Sequence, residues 1–230
     1  MKSEDIAVAG LRGRLMRPDG AVRAGVLVLP SIFSLNRSTV ERAEMLVAEG
    51  FAAWLWDLYP GEALPAKPPE ALGMVKRYTD SVIDGLGQVV DHLLGPVGLG
   101  AVGTIGFCLG GRYNLLLGAD NKRLGAVVSY YPSIEDPRLA QQTRDAVAEA
   151  AAIACPVQVV TAGHDHVTAP ATRLRLQEIL QARAAPTVMQ SWPEADHSFL
   201  EPARPGPANQ RAALGSWPQA MAFLRAALVG

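Results

Sequence analysis

Short apolar runs alternate along this chain with longer segments in which apolar residues recur at helical spacing. The runs are too short for helices and are bounded by proline, glycine or polar residues, so they predict buried strands at 24–30, 51–59, 102–107, 126–132, 156–163 and 187–193. The intervening periodicity predicts helices at 38–49, 70–94, 111–119, 138–152, 170–184 and 216–228. Residues 6–18 predict an additional antiparallel strand pair.

This alternation predicts an α/β fold, with a mostly parallel central sheet covered by helices on both faces. Right-handed crossovers then bring the carboxyl ends of the parallel strands, and the loops after them, to one edge of the sheet, where ligands bind in such folds. The proline-rich segments at 65–69 and 201–207 read as loops, and neither separates two self-sufficient halves. We therefore expect one domain spanning residues 1–230.

The composition limits the cellular location and the classes of partner that we expect. Apolar residues make up 49% of the chain and charged residues 19%, and a net charge of −1 gives no reason to expect nucleic acid or an anionic membrane as a partner. The apolar runs are too short to cross a bilayer, and three charges among the first residues argue against a secretory leader. Two cysteines in such a chain favour a reduced, cytoplasmic location. A monomer and a homodimer both remain open.

The most informative segment is Gly106-Phe107-Cys108-Leu109-Gly110-Gly111, between a predicted strand and a predicted helix. A nucleophile elbow needs this context, because a tight turn lifts one side chain above the sheet and tolerates only small residues two places before and after it. The helix N-terminus also favours a thiolate. Cys108 is therefore the candidate nucleophile. The alternatives are a buried structural cysteine and a phosphate-binding loop, although the glycine spacing does not fit the latter.

Two later strands supply an acid and a base in the chain order that such enzymes use. Asp165 follows the strand at 156–163, and His197 follows the strand at 187–193. The imidazole would take the thiol proton, and the carboxylate would orient the imidazole. Asp196 is a weaker candidate acid because sequence neighbours on a loop point apart, and Asp57 precedes the nucleophile and is interpreted as structural. A metal site at the histidine-rich loop 164–166 lacks supporting motif spacing, so neither metal nor cofactor is expected.

Acyl chemistry also needs two backbone N–H groups for the developing oxyanion. One comes from Leu109, the residue after the nucleophile, and the other from the loop after the strand at 24–30, which contains Ser31 and Ile32.

Together, GFCLGG, VSYYP, GHDHV, DHSF and the segment 29–59 resemble the dienelactone hydrolase family, a cysteine-bearing branch of the α/β-hydrolase fold. The likeness runs from about residue 24 to the last helix. It implies a triad of Cys108, Asp165 and His197 and oxyanion donors at Ile32 and Leu109. It also implies hydrolysis of an ester or lactone through an acyl-enzyme.

Two departures from the family pattern bear on activation and substrate. Founding members have a glutamate that helps to form the thiolate, and Ser31 stands in its place. They also have an arginine after the catalytic histidine that holds a substrate carboxylate, whereas this chain has Glu201, which is expected to repel an anion. A neutral ester or lactone is therefore the expected substrate. Candidate substrate contacts are Ser31, Phe33, Arg112, Tyr130 and Phe199.

Two rival functions stay open at the level of sequence. The same triad would also attack phosphorus in a neutral phosphotriester. Alternatively, the fold would serve as a catalytically silent binding or redox protein, with Cys108 in a structural or sensing role.

Overall fold

The computed structural model describes residues 1–230, in which the apolar runs form one eight-stranded sheet. The strands are β1 (Lys2–Val8), β2 (Leu11–Arg17), β3 (Ala24–Leu29), β4 (Ala52–Asp57), β5 (Ala101–Phe107), β6 (Ala126–Tyr130), β7 (Val157–His164) and β8 (Thr187–Asp196). The helices are α1 (Arg37–Ala48), α2 (Pro68–Val75), α3 (Val82–Leu94), α4 (Leu109–Asp120), α5 (Ala146–Glu149), α6 (Pro170–Gln181) and α7 (Pro207–Leu228).

The strands lie in the order β1-β2-β4-β3-β5-β6-β7-β8. The N-terminal pair β1–β2 is antiparallel, and β2 also pairs antiparallel with β4. All other pairs, from β4 to β8, are parallel. The predicted mostly parallel sheet, including the N-terminal strand pair, is therefore confirmed.

Both faces of the sheet are buried. Every residue of β3 is buried, and its side chains alternate between two apolar clusters. Leu27 and Leu29 belong to the cluster under α2 to α6, whereas Val26 and Val28 belong to the cluster under α1 and α7. This two-sided burial explains why the central strands are continuously apolar rather than alternating. No helix is both long and apolar enough to cross a membrane.

The predicted helix at 70–94 is two helices, α2 and α3, joined by a turn at 76–81. The helix is interrupted because Asp80 lies buried in the turn and forms a bidentate pair with Arg112 of α4. Nη2 of Arg112 donates to Oδ2 of Asp80 at 2.9 Å. Asp80 also accepts a hydrogen bond from the backbone N–H of Arg144 at 2.8 Å. These long-range bonds fix the connection between the two helices, and helical periodicity does not detect them.

The predicted helix at 138–152 shrinks to α5 and a single 3₁₀ turn at Ala150–Ala152. Asp145 caps α5, since its carboxylate accepts from the N–H groups of Val147 and Ala148 at 3.0 Å each. The residues before it form an irregular loop, and the buried Gln142 of this loop faces a cavity at the carboxyl edge of the sheet. The last helix is longer than predicted, because it starts at Pro207 and continues through Pro218.

Candidate active site

Cys108 lies at the turn between β5 and α4 with a strained backbone, φ +54° and ψ −113°. A Cβ on Gly106 would lie 2.2 Å from the Gly110 carbonyl oxygen, and a Cβ on Gly110 would lie 2.0 Å from the Leu29 carbonyl oxygen. No other residue type fits at these two positions. The predicted sharp bend between strand and helix is therefore present, and close backbone packing enforces it.

Backbone hydrogen bonds tie this turn to both neighbouring strands. The N–H of Gly110 donates to the Pro30 carbonyl at 3.1 Å, beyond the end of β3. The N–H of Cys108 donates to the Tyr130 carbonyl at 3.1 Å, at the end of β6. The turn is thus fixed at the carboxyl edge of the sheet, where the predicted acid and base loops also end.

The structure brings Asp165 and His197 together. Nδ1 of His197 lies 2.9 Å from Oδ2 of Asp165, and both side chains are almost fully buried. The other carboxylate oxygen of Asp165 accepts from the N–H groups of Val167 at 2.8 Å and Thr168 at 2.9 Å. Three bonds therefore hold the carboxylate, and it can orient the imidazole without moving.

Charge and burial act in opposite directions on this pair. Burial alone would raise the pKa of Asp165, but the bonds from His197, Thr168 and Val167 outweigh it and lower that pKa. Burial likewise opposes a charged His197, but the Cys108 sulfur and the Asp165 carboxylate outweigh it and raise the pKa of the imidazole to about 10. The site thus favours an ionised carboxylate and an imidazole that readily accepts a proton.

The second imidazole nitrogen and the thiol face the same cavity. Nε2 of His197 is buried and has no hydrogen-bond partner in the protein. The Cys108 sulfur instead contacts the Oγ of Ser133 at 2.9 Å. While the thiol keeps its proton and the imidazole is neutral, Nδ1–H donates to Asp165 and the Nε2 lone pair is free. Once the sulfur is charged, it and the carboxylate stabilise the imidazolium, which is the state with the raised pKa.

The two predicted oxyanion donors also border this cavity. The backbone N–H groups of Ile32 and Leu109 donate to no acceptor in the protein. The Ile32 carbonyl is held by the Tyr59 hydroxyl at 2.6 Å, which fixes the orientation of its loop. Two free N–H groups beside a nucleophile are the requirement for holding a developing negative charge.

The cavity has a volume of about 160 Å³ and one predominantly apolar wall. That wall comes mainly from α2 and from the loops after β3 and β6: Ile32, Phe33, Pro68, Leu72, Val75 and Leu139. The charged side chains that line it, Glu135 and Arg204, have opposite signs. Ser31 and Phe33, two of the predicted substrate contacts, do line the cavity.

Arg112 is not a substrate contact. Its guanidinium is 1% exposed and is fully engaged by Asp80 and by the Arg144 carbonyl, at 2.9 Å from the latter. It does not line the cavity that contains Cys108. A charge buried in this way must be paired, so the same interaction that explains its burial removes it from the ligand.

Tyr130 and Phe199, which were predicted to contact the substrate, do not line the cavity either. Both are buried on the opposite side of the sheet edge and belong to the cluster under α1 and α7. Tyr130 packs against Phe107 and Trp217, with ring centroids 5.6 and 6.3 Å away. The two aromatic side chains stabilise the core behind the site and do not touch the cavity.

Glu201, which was expected to repel an anionic substrate, lies outside the lining of the cavity. Its carboxylate accepts from Nδ2 of Asn36 at 3.0 Å, at the start of α1, and it does not line the cavity. Burial raises its pKa, which further weakens any charge effect on a ligand. The nearby Arg204, which sequence reasoning passed over, does line the cavity.

Two polar residues of the site were not predicted, Ser133 and Tyr59. Ser133 follows β6 closely, so the rule that placed Asp165 and His197 after their strands would have selected it as well. Tyr59 follows β4 in the same way, but its aromatic ring suggested simple core packing. Nothing in the sequence shows that a hydroxyl on one loop meets a carbonyl on another. The histidine-rich loop forms no cluster of three potential metal ligands with its neighbours.

Comparisons with known proteins identify the family of this chain. The family model of the dienelactone hydrolase family matches residues 11–228. A protein of Methylorubrum extorquens named for carboxymethylenebutenolidase activity is 26% identical over 201 residues, covering 84% of this chain and 68% of that protein. The carboxymethylenebutenolidase of a Pseudomonas species is 27% identical over 190 residues, covering 78% of this chain and 75% of that enzyme.

Solved structures share the fold at lower identity. A Klebsiella pneumoniae protein named as a dienelactone hydrolase superposes with a TM-score of 0.84 at 22% identity, covering 96% of this chain and 97% of that one. A metagenomic dienelactone hydrolase-like promiscuous phosphotriesterase superposes with a TM-score of 0.78 at 22% identity, covering 98% of each chain. These likenesses establish the α/β-hydrolase architecture. Because the family model spans nearly the whole chain, this protein belongs to the dienelactone hydrolase family and is a hydrolase of ester or lactone bonds.

Proposed function

We propose that this protein hydrolyses neutral esters or lactones through an acyl-enzyme formed on Cys108. The observation that carries the proposal is the His197 imidazole, whose Nδ1 bonds Asp165 at 2.9 Å while its Nε2 has no partner in the cavity shared with Cys108. An oriented base with a free nitrogen beside a thiol on a strained turn is the arrangement that nucleophilic catalysis needs.

The first half-reaction forms a thioester. His197 accepts the thiol proton at Nε2, and the Cys108 sulfur attacks the carbonyl carbon. The electron pair of the C=O double bond moves to the oxygen, where the N–H groups of Ile32 and Leu109 stabilise the charge. When the tetrahedral intermediate collapses, the bond to the leaving oxygen breaks, and the imidazolium returns its proton to that oxygen.

The second half-reaction releases the acid. Water gives a proton to Nε2 of His197 and attacks the thioester carbon, and the same two N–H groups hold the oxyanion. The carbon–sulfur bond then breaks, and the sulfur leaves as thiolate and recovers its proton from the imidazolium. For a lactone the leaving oxygen stays attached to the acyl chain, so one product carries both the hydroxyl and the carboxylate. Every proton in this cycle passes through His197.

The cavity supports a neutral substrate of limited size. Its wall is largely apolar, and its two charged lining residues, Glu135 and Arg204, balance each other. A volume of about 160 Å³ is similar to the roughly 150 Å³ engineered apolar cavity that accommodates benzene. We therefore expect short alkyl or phenyl-sized groups to fit. In a series of neutral p-nitrophenyl esters, kcat/KM should rise from acetate to hexanoate and fall for long chains.

Intact mass spectrometry after brief exposure to phenyl acetate tests the proposal. We expect an adduct of acetyl mass that disappears in Cys108→Ala and persists in Cys155→Ala, the matched control at the other free cysteine. An acetyl adduct that survives Cys108→Ala, or a complete lack of adduct and of turnover with esters and lactones, would contradict it.

A neutral phosphotriester is a second candidate substrate. The oxyanion donors and the apolar wall suit a polarised P=O group as well as a carbonyl, and the metagenomic neighbour of the same architecture carries a phosphotriesterase name. Measuring kcat/KM for an aryl acetate and for a neutral aryl phosphotriester on the same preparation separates the two. A higher kcat/KM for the phosphotriester would reverse our assignment of the ester as the main substrate.

A further inference from the structure

The Cys108 thiol contacts a hydroxyl that belongs to neither the strained turn nor the acid–base pair. Ser133 lies just after β6, is 5% exposed, and places its Oγ 2.9 Å from the sulfur. This hydroxyl makes no other hydrogen bond to the protein. In contrast, Ser31 accepts from the N–H of Phe33 at 3.3 Å and makes no bond to the sulfur. The serine that replaces the family glutamate therefore does not serve the thiol, and Ser133 does contact it.

Backbone and side-chain bonds on three sides hold Ser133 in place. Its N–H donates to the Cys108 carbonyl at 3.0 Å. Thr168, on the loop that carries the predicted acid, donates from Oγ1 to the Pro132 carbonyl at 2.7 Å and accepts from the Ile134 N–H at 2.9 Å. The residues on both sides of Ser133 are thus bonded to one buried threonine. These bonds fix the backbone at Ser133, and its buried side chain lies beside the sulfur.

We propose that Ser133 is a further catalytic residue, whose hydroxyl donates a hydrogen bond to the Cys108 thiolate and stabilises the ionised nucleophile. This assignment rests on the proposed role of Cys108. While the sulfur is protonated, the serine oxygen can accept the S–H. Once His197 has taken that proton, the hydroxyl turns and donates to the negative sulfur. A hydrogen bond to a charged acceptor is about twice as strong as one between neutral groups, so the contact favours the thiolate.

The other ionisable groups around the sulfur do not replace this donor. His197 is the group that takes the proton. Tyr131 packs edge-on against the imidazole with ring centroids 5.3 Å apart, and burial raises its pKa well above the usual value, so it stays neutral. The remaining ionisable side chains around the cavity are Tyr78, Tyr113, Glu135, His166 and Arg204. All of them are unchanged in a Ser133 variant, so a shift in thiol ionisation would report the hydroxyl itself.

The test is the pH dependence of iodoacetamide alkylation in a Cys155→Ala background, which leaves one thiol. In Ser133→Ala we expect the midpoint of the alkylation profile to move to higher pH, with about tenfold slower alkylation at pH 7. Ser133→Thr keeps the hydroxyl and should keep a midpoint near that of the parent. The matched control is Ser129→Ala on β6, which removes a buried hydroxyl bonded to the Gly111 carbonyl at 2.9 Å and leaves the sulfur untouched.

An unchanged midpoint in Ser133→Ala would overturn the proposal, and so would an equal shift in Ser129→Ala. In the ester assay, Ser133→Ala should lower kcat about tenfold and leave KM nearly constant. Alkylation reads the sulfur alone, so it would reveal the serine effect even if no ester were turned over. Conversely, an acyl adduct on Cys108 together with an unchanged midpoint would support the proposed hydrolase and reject the role of Ser133.

Discussion

The geometry of His197 requires a partner at Nδ1 that accepts a hydrogen bond and cannot donate one. The carboxylate of Asp165 can only accept, so it places a proton on Nδ1 and leaves Nε2 free. An amide in its place can donate as well, and an imidazole turned to the other tautomer would carry its proton on the nitrogen that faces the thiol. In the proposed mechanism, the carboxylate of Asp165 thus serves mainly to select the tautomer of His197.

We predict that Asp165→Asn lowers kcat by about 10³- to 10⁴-fold, because the wrong tautomer cannot accept the thiol proton. Steady-state kinetics with an aryl acetate measures the effect. Asp196→Asn is the matched control, since Asp196 bonds Nδ2 of Asn209 at 3.0 Å and does not touch the imidazole. Similar losses in both variants would show that the carboxylate acts through stability and not through the tautomer.

The same carboxylate should affect stability at low pH. Its pKa is lowered in the folded protein, so its contribution is present above the unfolded value of about 4 and is lost as the pH falls through the folded value. Urea unfolding should therefore show a steeper loss of unfolding free energy below about pH 4 in the parent than in Asp165→Asn. Equal slopes for the two proteins would contradict this assignment.

At the level of single residues, sequence order was sufficient for the candidate triad and insufficient for the substrate contacts. Cys108, Asp165 and His197 each follow a strand, and parallel strands bring such positions to one edge. For Arg112 and Tyr130, the position along the chain does not reveal whether the side chain points into the cavity or into the protein core. That choice depends on partners far away in sequence, such as Asp80.

Among the elements, α2 and α4 each contain a glycine, but the space around the two glycines differs. Gly110 in α4 packs against the β3 end so closely that a methyl group would overlap the Leu29 carbonyl, whereas a methyl on Gly73 in α2 would meet nothing within 4 Å. We predict that Gly110→Ala destabilises the fold by about 3 kcal/mol or more. Gly73→Ala should stabilise it by about 0.5–1 kcal/mol, since alanine loses less entropy in a helix. Denaturant unfolding of both variants measures the contrast, and changes of the same sign would contradict it.

The Asp80–Arg112 pair joins the α2–α3 turn to α4. We predict that Asp80→Leu costs about 3–5 kcal/mol, because it leaves a buried guanidinium unpaired. Adding Arg112→Met should recover most of that loss, since both buried charges are then removed. Chemical unfolding of the two single variants and the double variant gives the coupling energy. Additive losses would show that the two side chains act independently.

Helices and strands were predicted well where periodicity alone decides, and poorly where a tertiary bond decides. The break between α2 and α3 follows from a buried carboxylate, and the irregular loop before α5 follows from residues that turn toward the cavity. The spacing of hydrophobic residues along the chain reveals neither feature. That spacing does reveal the alternation of strands and helices, which was sufficient to predict the mostly parallel sheet.

Across the whole molecule, one sheet carries two apolar clusters on its faces, with Trp54 in one and Trp217 in the other. We propose that residues 1–230 unfold as one domain, because every central strand contributes to both clusters. The prediction is that tryptophan fluorescence and far-ultraviolet circular dichroism give coincident urea transitions. Two separated transitions would indicate that the faces unfold independently.

The left-handed backbone at Cys108 also limits how this enzyme can change over evolutionary time. Cysteine and serine both have an unbranched Cβ, so an exchange of sulfur for oxygen leaves the bend intact. A threonine at φ +54° would add a methyl group where the backbone is already crowded. A single substitution can therefore replace the thiol at position 108 with the primary alcohol of serine. The main-chain conformation excludes the secondary alcohol of threonine at the same position.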